Sequence, residues 1–163
     1  GVAVFNKAAG EEDLIRWAKE INVKSVVYEA GGREGNKTGV AEVARLLGLS
    51  DVKMGAIPGF EIKETPGGIK VIDSSYSTNQ QTFEEDIELL KKMPGRKFVI
   101  SPGIIELGKE TENVHKKLRE RMKDLDGVWM GEYHGIEKTL KSGDTVLIEG
   151  RVPSGTKNKI LSL

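Results

Sequence analysis

Three stretches of this chain carry side chains that could do chemistry. The first is Asp73-Ser74-Ser75-Tyr76-Ser77-Thr78-Asn79, which puts a carboxylate, a row of hydroxyls, an aromatic ring and an amide into one loop. The second runs from Ser101 through Glu106 to His115, and it supplies an acid and one of the two histidines of the chain. The third is Glu29 to Gly39, E-A-G-G-R-E-G-N-K-T-G. A phosphate-cradling loop needs Gly-x-x-x-x-Gly-Lys-Thr, because glycine lets successive backbone amides turn inward beneath the phosphates. Here Asn36 occupies the place of the glycine before Lys37-Thr38, so the pattern is broken at the position that matters most. No Ser/His/Asp or Cys/His arrangement is readable. With two histidines and no cysteine, the chain offers no histidine-rich metal site, no thiolate ligands and no disulfides.

The first two stretches have a shared frame. Lys70 to Asp73 is a short apolar strand, and Thr82 with Glu85 has the Thr-x-x-Glu spacing of a capping box at a helix start. Phe83, Ile87 and Leu90 fall on one face of that helix, and Pro94-Gly95 ends it. Lys97 to Ser101 is the next strand. Strands joined by a helix of this length are normally parallel with a right-handed crossover. Their following loops therefore open at one edge of the sheet, where ligands bind in open α/β folds.

Around this frame the chain reads as α/β throughout. Val2 to Phe5 and Ser25 to Tyr28 are strands separated by a helix whose apolar face is Leu14, Trp17, Ala18 and Ile21. Glu29 to Gly39 reads as a loop, followed by a helical stripe of Val40, Val43, Ala44 and Leu47. The segment Ala56-Ile57-Pro58-Gly59 is a linker into the strand Phe60 to Glu64, which pairs as a hairpin with Lys70–Asp73 across the turn Pro66-Gly67-Gly68. Further on come a helix with the stripe Val114, Leu118 and Met122, a strand from Gly127 to Met130, a short helix from Ile136 to Leu140, and a strand from Thr145 to Ile148. The tail from Lys159 to Leu163 gives no signal. The expected organisation is a partial α/β unit over residues 1–57 and a Rossmann-like domain over residues 58–163.

Composition bounds the function classes. The 163 residues suffice for one good core, or for one domain and part of another. Lys+Arg and Asp+Glu balance at 25 each, so there is neither a basic footprint for nucleic acid nor an acidic tail. No apolar run is long enough to span a membrane and no signal peptide is readable. The expected compartment is cytoplasmic. The charged fraction of 31%, rich in Lys and Glu, suits a thermophile. The first residue is Gly1 rather than Met, which fits either a fragment or a processed chain.

The residues of the central frame resemble the C-terminal domain of the Mur ligase family, most closely its D-alanyl-D-alanine-adding branch. The runs V-I-D-S-S-Y-S-T-N-Q, then M-P-G-R-K, then G-I-I-E-L-G-K-E-T-x-x-V-H are similar to that family's I-D-D-S-Y-N-A-N-P and G-D-M-x-E-L-G loops, the latter with a His further on. Gly143 to Gly150, G-D-T-V-L-I-E-G, resembles its G-D-x-V-L-x-K-G. The stretch N-K-T-G-V-A-E-V-A-R-L-L-G-L resembles a helix in the family's central domain that opens with a nucleotide-facing asparagine. Asn36 either takes that role or simply caps the helix.

The resemblance implies a family that activates a carboxylate with ATP and magnesium as an acyl phosphate, which an incoming amine attacks to form an amide. It implies nucleotide contacts at Asn36, Asp73, Ser75, Tyr76 and Asn79, and substrate contacts at Glu106 and His115. Tyr76 either stacks on adenine or packs its loop against the helix. Glu106 alternatively caps a helix, and His115 alternatively lies on the surface beside Arg119. The family carries an arginine, an aspartate and a lysine where this chain has Phe60, Ser74 and Glu149. Two readings follow: a catalytically silent piece of an ATP-dependent ligase of cell-wall peptide synthesis, or a reduced relative acting as a binding or partner module. The former implies the missing ligase domains and a cell-wall precursor as partners. A third, a generic nucleotide-binding domain, predicts one continuous sheet through residues 1–150.

Overall fold

The computed structural model describes residues 1–7, 11–29, 32–49, 60–76 and 78–163, with the backbone alone at 11, 32–34 and 36. The chain divides into two compact units, Gly1–Ala56 and Ile57–Leu163. The linker around Pro58 lies outside the described residues. The described strands form two sheets, one of two strands and one of five. The described strands therefore do not form the single continuous sheet of the generic reading.

In the first unit β1 (Val2–Asn6) and β2 (Lys24–Tyr28) pair in parallel, Val4 opposite Val26. They flank α1 (Glu11–Glu20) in sequence, and α2 (Gly32–Leu46) follows. The expected apolar stripe of α1 buries Ala18, but Leu14, Trp17 and Ile21 remain 40–58% exposed. On α2 likewise Ala44 is buried while Val40, Val43 and Leu47 are exposed. A sheet of two strands is too narrow to cover both helices.

The expected loop from Glu29 to Gly39 is mostly helix, because α2 already begins at Gly32. Asn36 is its fifth residue, so it neither opens nor caps the helix, and its side chain is outside the described residues. A helix leaves its first four amides free, so the amides at Lys37 and Thr38 lie beyond them and cannot fold under a phosphate as a cradle requires. Gly39 leaves room for a neighbour: a Cβ there would stand 2.6 Å from the Tyr28 hydroxyl, so the Tyr28 ring would have to shift.

The second unit runs β3 (Glu61–Glu64), β4 (Lys70–Ser74), α3 (Gln80–Lys92), β5 (Lys97–Ser101), α4 (Thr111–Arg121), β6 (Gly127–Met130), α5 (Ile136–Thr139), β7 (Thr145–Glu149) and α6 (Ser154–Leu161). The strand order is β3-β4-β7-β5-β6. The β3–β4 hairpin is antiparallel and every other pairing is parallel. Thus β4 and β5 run in the same direction, as expected, but the last strand of the chain lies between them.

Period-two alternation along the buried strands sends side chains to two cores. Val71, Phe98, Ile100, Val146 and Ile148 pack with Ile136 of α5, Leu140 just after it and Ile160 of α6. Ile72, Val99 and Leu147 pack on the other face with Phe83, Ile87, Leu90, Val114 and Leu118 of α3 and α4. The start of α3 differs from the expected Thr82–Glu85 box. Asn79 is the cap: its side chain accepts from the Thr82 amide while the Thr82 hydroxyl accepts from the Asn79 amide. The helix thus starts three residues earlier, and Thr82 is the closing member of the box instead of the opening one. Among the described residues no helix is long and apolar enough to cross a membrane.

Candidate functional site

All four parallel strands end at one edge of the sheet, so the loops after Ser74, Ser101, Met130 and Glu149 gather there. The segment after β4 leads to α3 on one face, and the segment after β7 leads to α6 on the other. Neighbouring strands whose connections depart to opposite faces leave a crevice between them, the usual ligand position in such sheets.

Alternation decides which side chains meet at this edge. Asp73 follows Ile72 and therefore points to the α6 face, where Lys157 waits: Nζ is 2.8 Å from Asp73 Oδ2 and 2.8 Å from Ser75 Oγ. Ser75 donates its hydroxyl to Asp73 Oδ1 at 2.6 Å and its amide to the same oxygen at 3.2 Å. Burial pushes the Asp73 carboxyl up, but the Lys157 ammonium and the two Ser75 donors outweigh it, and the net position lies below the ordinary carboxylate value. The result is a rigid, ionised carboxylate with a partly exposed cation beside it. Sequence reading missed Lys157. The signal was Pro153 followed by Ser154-Gly155-Thr156-Lys157, a helix start three residues after the last strand motif.

The loop after Ser75 presents Tyr76 with 70% of its surface exposed. A ring this open is not packing its loop against α3, which leaves its face free for a flat ligand. Asn79 is exposed, but its amide oxygen is spent on the Thr82 amide at 2.9 Å, so any ligand would meet its NH2 group.

The loop after β5 is held from below. His115 Nε2 stands 3.0 Å from both the amide nitrogen and the carbonyl oxygen of Ile104, and its ring lies under Gly103, where a Cβ would approach within 2.8 Å. His115 is therefore a half-buried strut, not a surface residue. Glu106 follows in the left-handed region at φ 68°, a conformation costing a non-glycine residue on the order of 1–3 kcal/mol. It caps no helix: Leu107 and Glu110 occupy the cap positions before the short 3-10 turn and α4. Glu106 instead lines a recess of about 100 Å³ with Thr78, Gly103, Ile105 and Arg151. The recess thus carries an acid and a base on different loops, and Arg151 too was not anticipated.

The three departures from the family pattern face inward. Phe60 packs against the α3/α4 core, Ser74 is 3% exposed, and Glu149 is fully buried. None of these positions presents a side chain to a ligand at the edge. Of the expected site residues, the fold brings Asp73, Ser75, Tyr76, Asn79, Glu106 and His115 to this edge. Asn36 belongs to the other unit.

No protein-family model matches the sequence, and no curated protein matches it. Solved structures do match in fold. A MurF ligase from Thermotoga maritima, in complex with ADP, aligns with TM-score 0.73 at 19% identity over 99% of this chain and 53% of its own. Two crystal structures of MurF from Acinetobacter baumannii align with TM-scores of 0.70 and 0.69, at 14% and 13% identity, over the whole of this chain and 52% of theirs. The chain spans about half the length of these proteins. Its fold is Mur-ligase-like, with the mostly parallel, helix-flanked sheet of the Rossmann-like C-terminal domain.

Proposed function

We propose that this chain is the closing half of a Mur-type ATP-dependent amide ligase, and that the crevice at the carboxyl edge of the larger sheet takes the nucleotide. The observation that carries this reading is the Asp73–Ser75–Lys157 constellation, with Tyr76 standing open beside it at the point where connections depart to opposite faces. Those groups suit a nucleotide: an aromatic face for the base, hydroxyl and amide donors for the ribose, and an ammonium near the phosphates. ATP, when bound in the whole ligase, would supply the activated phosphoryl group that turns a carboxylate into an acyl phosphate. This chain's own task is to grip and orient. Lys157 is held by Asp73 so that its charge sits at a fixed point, and His115 holds the loop that carries Glu106.

The recess between Glu106 and Arg151 is the place for the incoming amine, since one wall carries a carboxylate and another a guanidinium. Among the described residues no three acids or histidines gather as a magnesium site. The metal's protein ligands would have to come from elsewhere in the whole ligase. Cell-wall peptide synthesis in the cytoplasm is the setting this reading implies, with the rest of the ligase as partner.

A second reading, a non-catalytic Mur-like binding module, is favoured by one observation: the three positions where the family carries charge hold Phe60, Ser74 and Glu149, all turned to the interior. Calorimetric titration with ADP and ATP, with and without magnesium, separates the readings. The ligase reading expects saturable binding that Tyr76→Ala weakens about tenfold, in line with ~1–3 kcal/mol per stacked base. A folded chain that takes up no nucleotide at millimolar concentration would favour the second reading.

A further inference from the structure

His115 meets the loop after β5 through a single atom. Its Nε2 lies 3.0 Å from the amide nitrogen of Ile104 and 3.0 Å from the carbonyl oxygen of the same residue. A ring nitrogen has one direction in its plane: with a lone pair there it accepts, and with a hydrogen there it donates. It cannot satisfy a donor and an acceptor together. Ile104 is only 5% exposed, so the group that loses has little water to turn to. The observed position is a midpoint between two placements of the peptides that flank Ile104.

The surroundings leave the choice to a proton. His115 Nδ1 has no partner among the described residues and the ring is only half-buried, so exchanging a proton with water breaks no second bond. On α4, Glu112 and Arg119 lie about a turn before and after it, one of each sign. Lys109 and Glu110 of the short 3-10 turn again bring one charge of each sign, and Glu106 is the acid of the loop above. From α3, Glu84 and Glu88 pair with Arg121, further along α4. From β6 comes Met130, whose methyl lies beside Gly103, and the loop after it carries Glu132 and His134. Among the described residues none of these forms an ion pair with His115.

We infer that His115 is a positioning residue with two settings: uncharged, its Nε2 accepts from the Ile104 amide, and protonated, it donates to the Ile104 carbonyl and turns the loop that carries Glu106. Gly103 is the pivot. It sits at φ 82°, where glycine moves freely and other residues do not, with the His115 ring directly beneath it. The turn reaches Glu106 because only Ile105 stands between, and Gly103, Ile105 and Glu106 all line the recess. A proton on α4 thereby sets where the acid of the recess stands. The two settings do not depend on an amine entering the recess, so they stand or fall apart from that reading.

The test is an NMR titration of the intact 15N-labelled chain across the histidine range, about pH 5 to 8. Above the His115 midpoint the ring should carry its proton on Nδ1, and a 15N–15N coupling across the hydrogen bond should join Nε2 to the Ile104 amide. Below the midpoint that coupling should vanish. Protection of the Ile104 amide from hydrogen exchange, corrected for the intrinsic rate, should drop about tenfold. The Glu106 amide signal should move with the same midpoint. His115→Gln offers a donor and an acceptor that do not titrate, and it should keep the fold while abolishing the pH dependence. A coupling absent above the midpoint or persisting below it would overturn the two settings, as would a neutral ring protonated on Nε2. A Glu106 signal that stays still, or that moves equally in His115→Gln, would overturn the reach to the recess. Should His115→Gln fail to fold, the wild-type coupling and exchange decide alone.

Discussion

Replacing Lys157 with Met, alone and together with Asp73→Asn, tests whether the charge at the crevice is built in or incidental. At 2.8 Å, and with an effective dielectric constant of 20, the attraction between Lys157 and Asp73 is about 6 kcal/mol. Desolvating a carboxylate that keeps 8% exposure offsets most of that, and the 29% exposure of the lysine lets water screen the rest. A net coupling of ~1–2 kcal/mol remains. Lys157→Met leaves Asp73 with Ser75 alone and should cost ~2–3 kcal/mol, more than Asp73→Asn, which removes the charge that needs a partner. Urea denaturation of the wild type, both single variants and the double variant at neutral pH gives the cycle.

The sign with pH is fixed as well. The folded Asp73 carboxyl lies below its unfolded value of 3.8, so its contribution is complete above that pH and is lost as the pH falls through the folded value. The penalty of Lys157→Met should therefore shrink in acid. A coupling energy below ~0.3 kcal/mol, the range in which independent sites simply add, would refute the reasoning and leave Lys157 as an ordinary surface cation.

Other outcomes are equally concrete. Tyr76→Ala should change the unfolding free energy by less than ~0.5 kcal/mol, since its ring is exposed, while nucleotide affinity falls; calorimetry and a denaturant melt separate the two. His115→Ala removes the strut under Ile104 and should cost ~1–2 kcal/mol in the same melt, with the amide signals of the loop around Glu106 shifting by NMR. Gly95→Ala should be far more damaging, because at φ 75° a Cβ meets the Gly143 carbonyl oxygen head-on; loss of the folded state in circular dichroism at growth temperature is expected. Asp144→Ala breaks a buried carboxylate bound twice by Arg96 and once by the Lys141 amide, and ~3 kcal/mol should be lost in thermal or urea unfolding.

The strands β4, β5 and β7 were legible because their residues are buried on both faces. Runs such as Phe98-Val99-Ile100 and Val146-Leu147-Ile148 can serve only as interior strands, and punctuation such as Pro94-Gly95 separates them. What the chain could not announce was order. Nothing local in β7 says that it inserts between β4 and β5, because that placement depends on which helix covers which face. The start of α3 was misread since Asn79, Thr82 and Glu85 all carry capping chemistry, and only the backbone decides which pair closes the box.

The glycines at 32, 35 and 39 suggested a loop where tertiary context makes a helix, an override of weak propensity. In the site, Asp73, Ser75 and Tyr76 were readable from one contiguous motif. Lys157 and Arg151 were not, because they reach the crevice from sequence far beyond it. Glu149 was read as reversing the charge of a family lysine, yet alternation along a fully buried strand places it inside.

The position of β7 also governs how the larger unit can be made. A ribosome delivers β3, β4, β5 and β6 first, and none of the parallel strands on either side of the gap can pair across it until residues 145–149 emerge. Every parallel contact of β4 is with that last strand, 75 residues away in the Lys70–Thr145 pair. The nascent domain therefore waits as a hairpin and a separate β5–β6 pair, the β4 and β5 edges both still uncovered, until β7 slides between them. Folding should be slow for its size, since distant pairings must bear the closure entropy before they are rewarded. Stalled synthesis short of β7 would leave two sticky half-sheets, not a smaller stable protein.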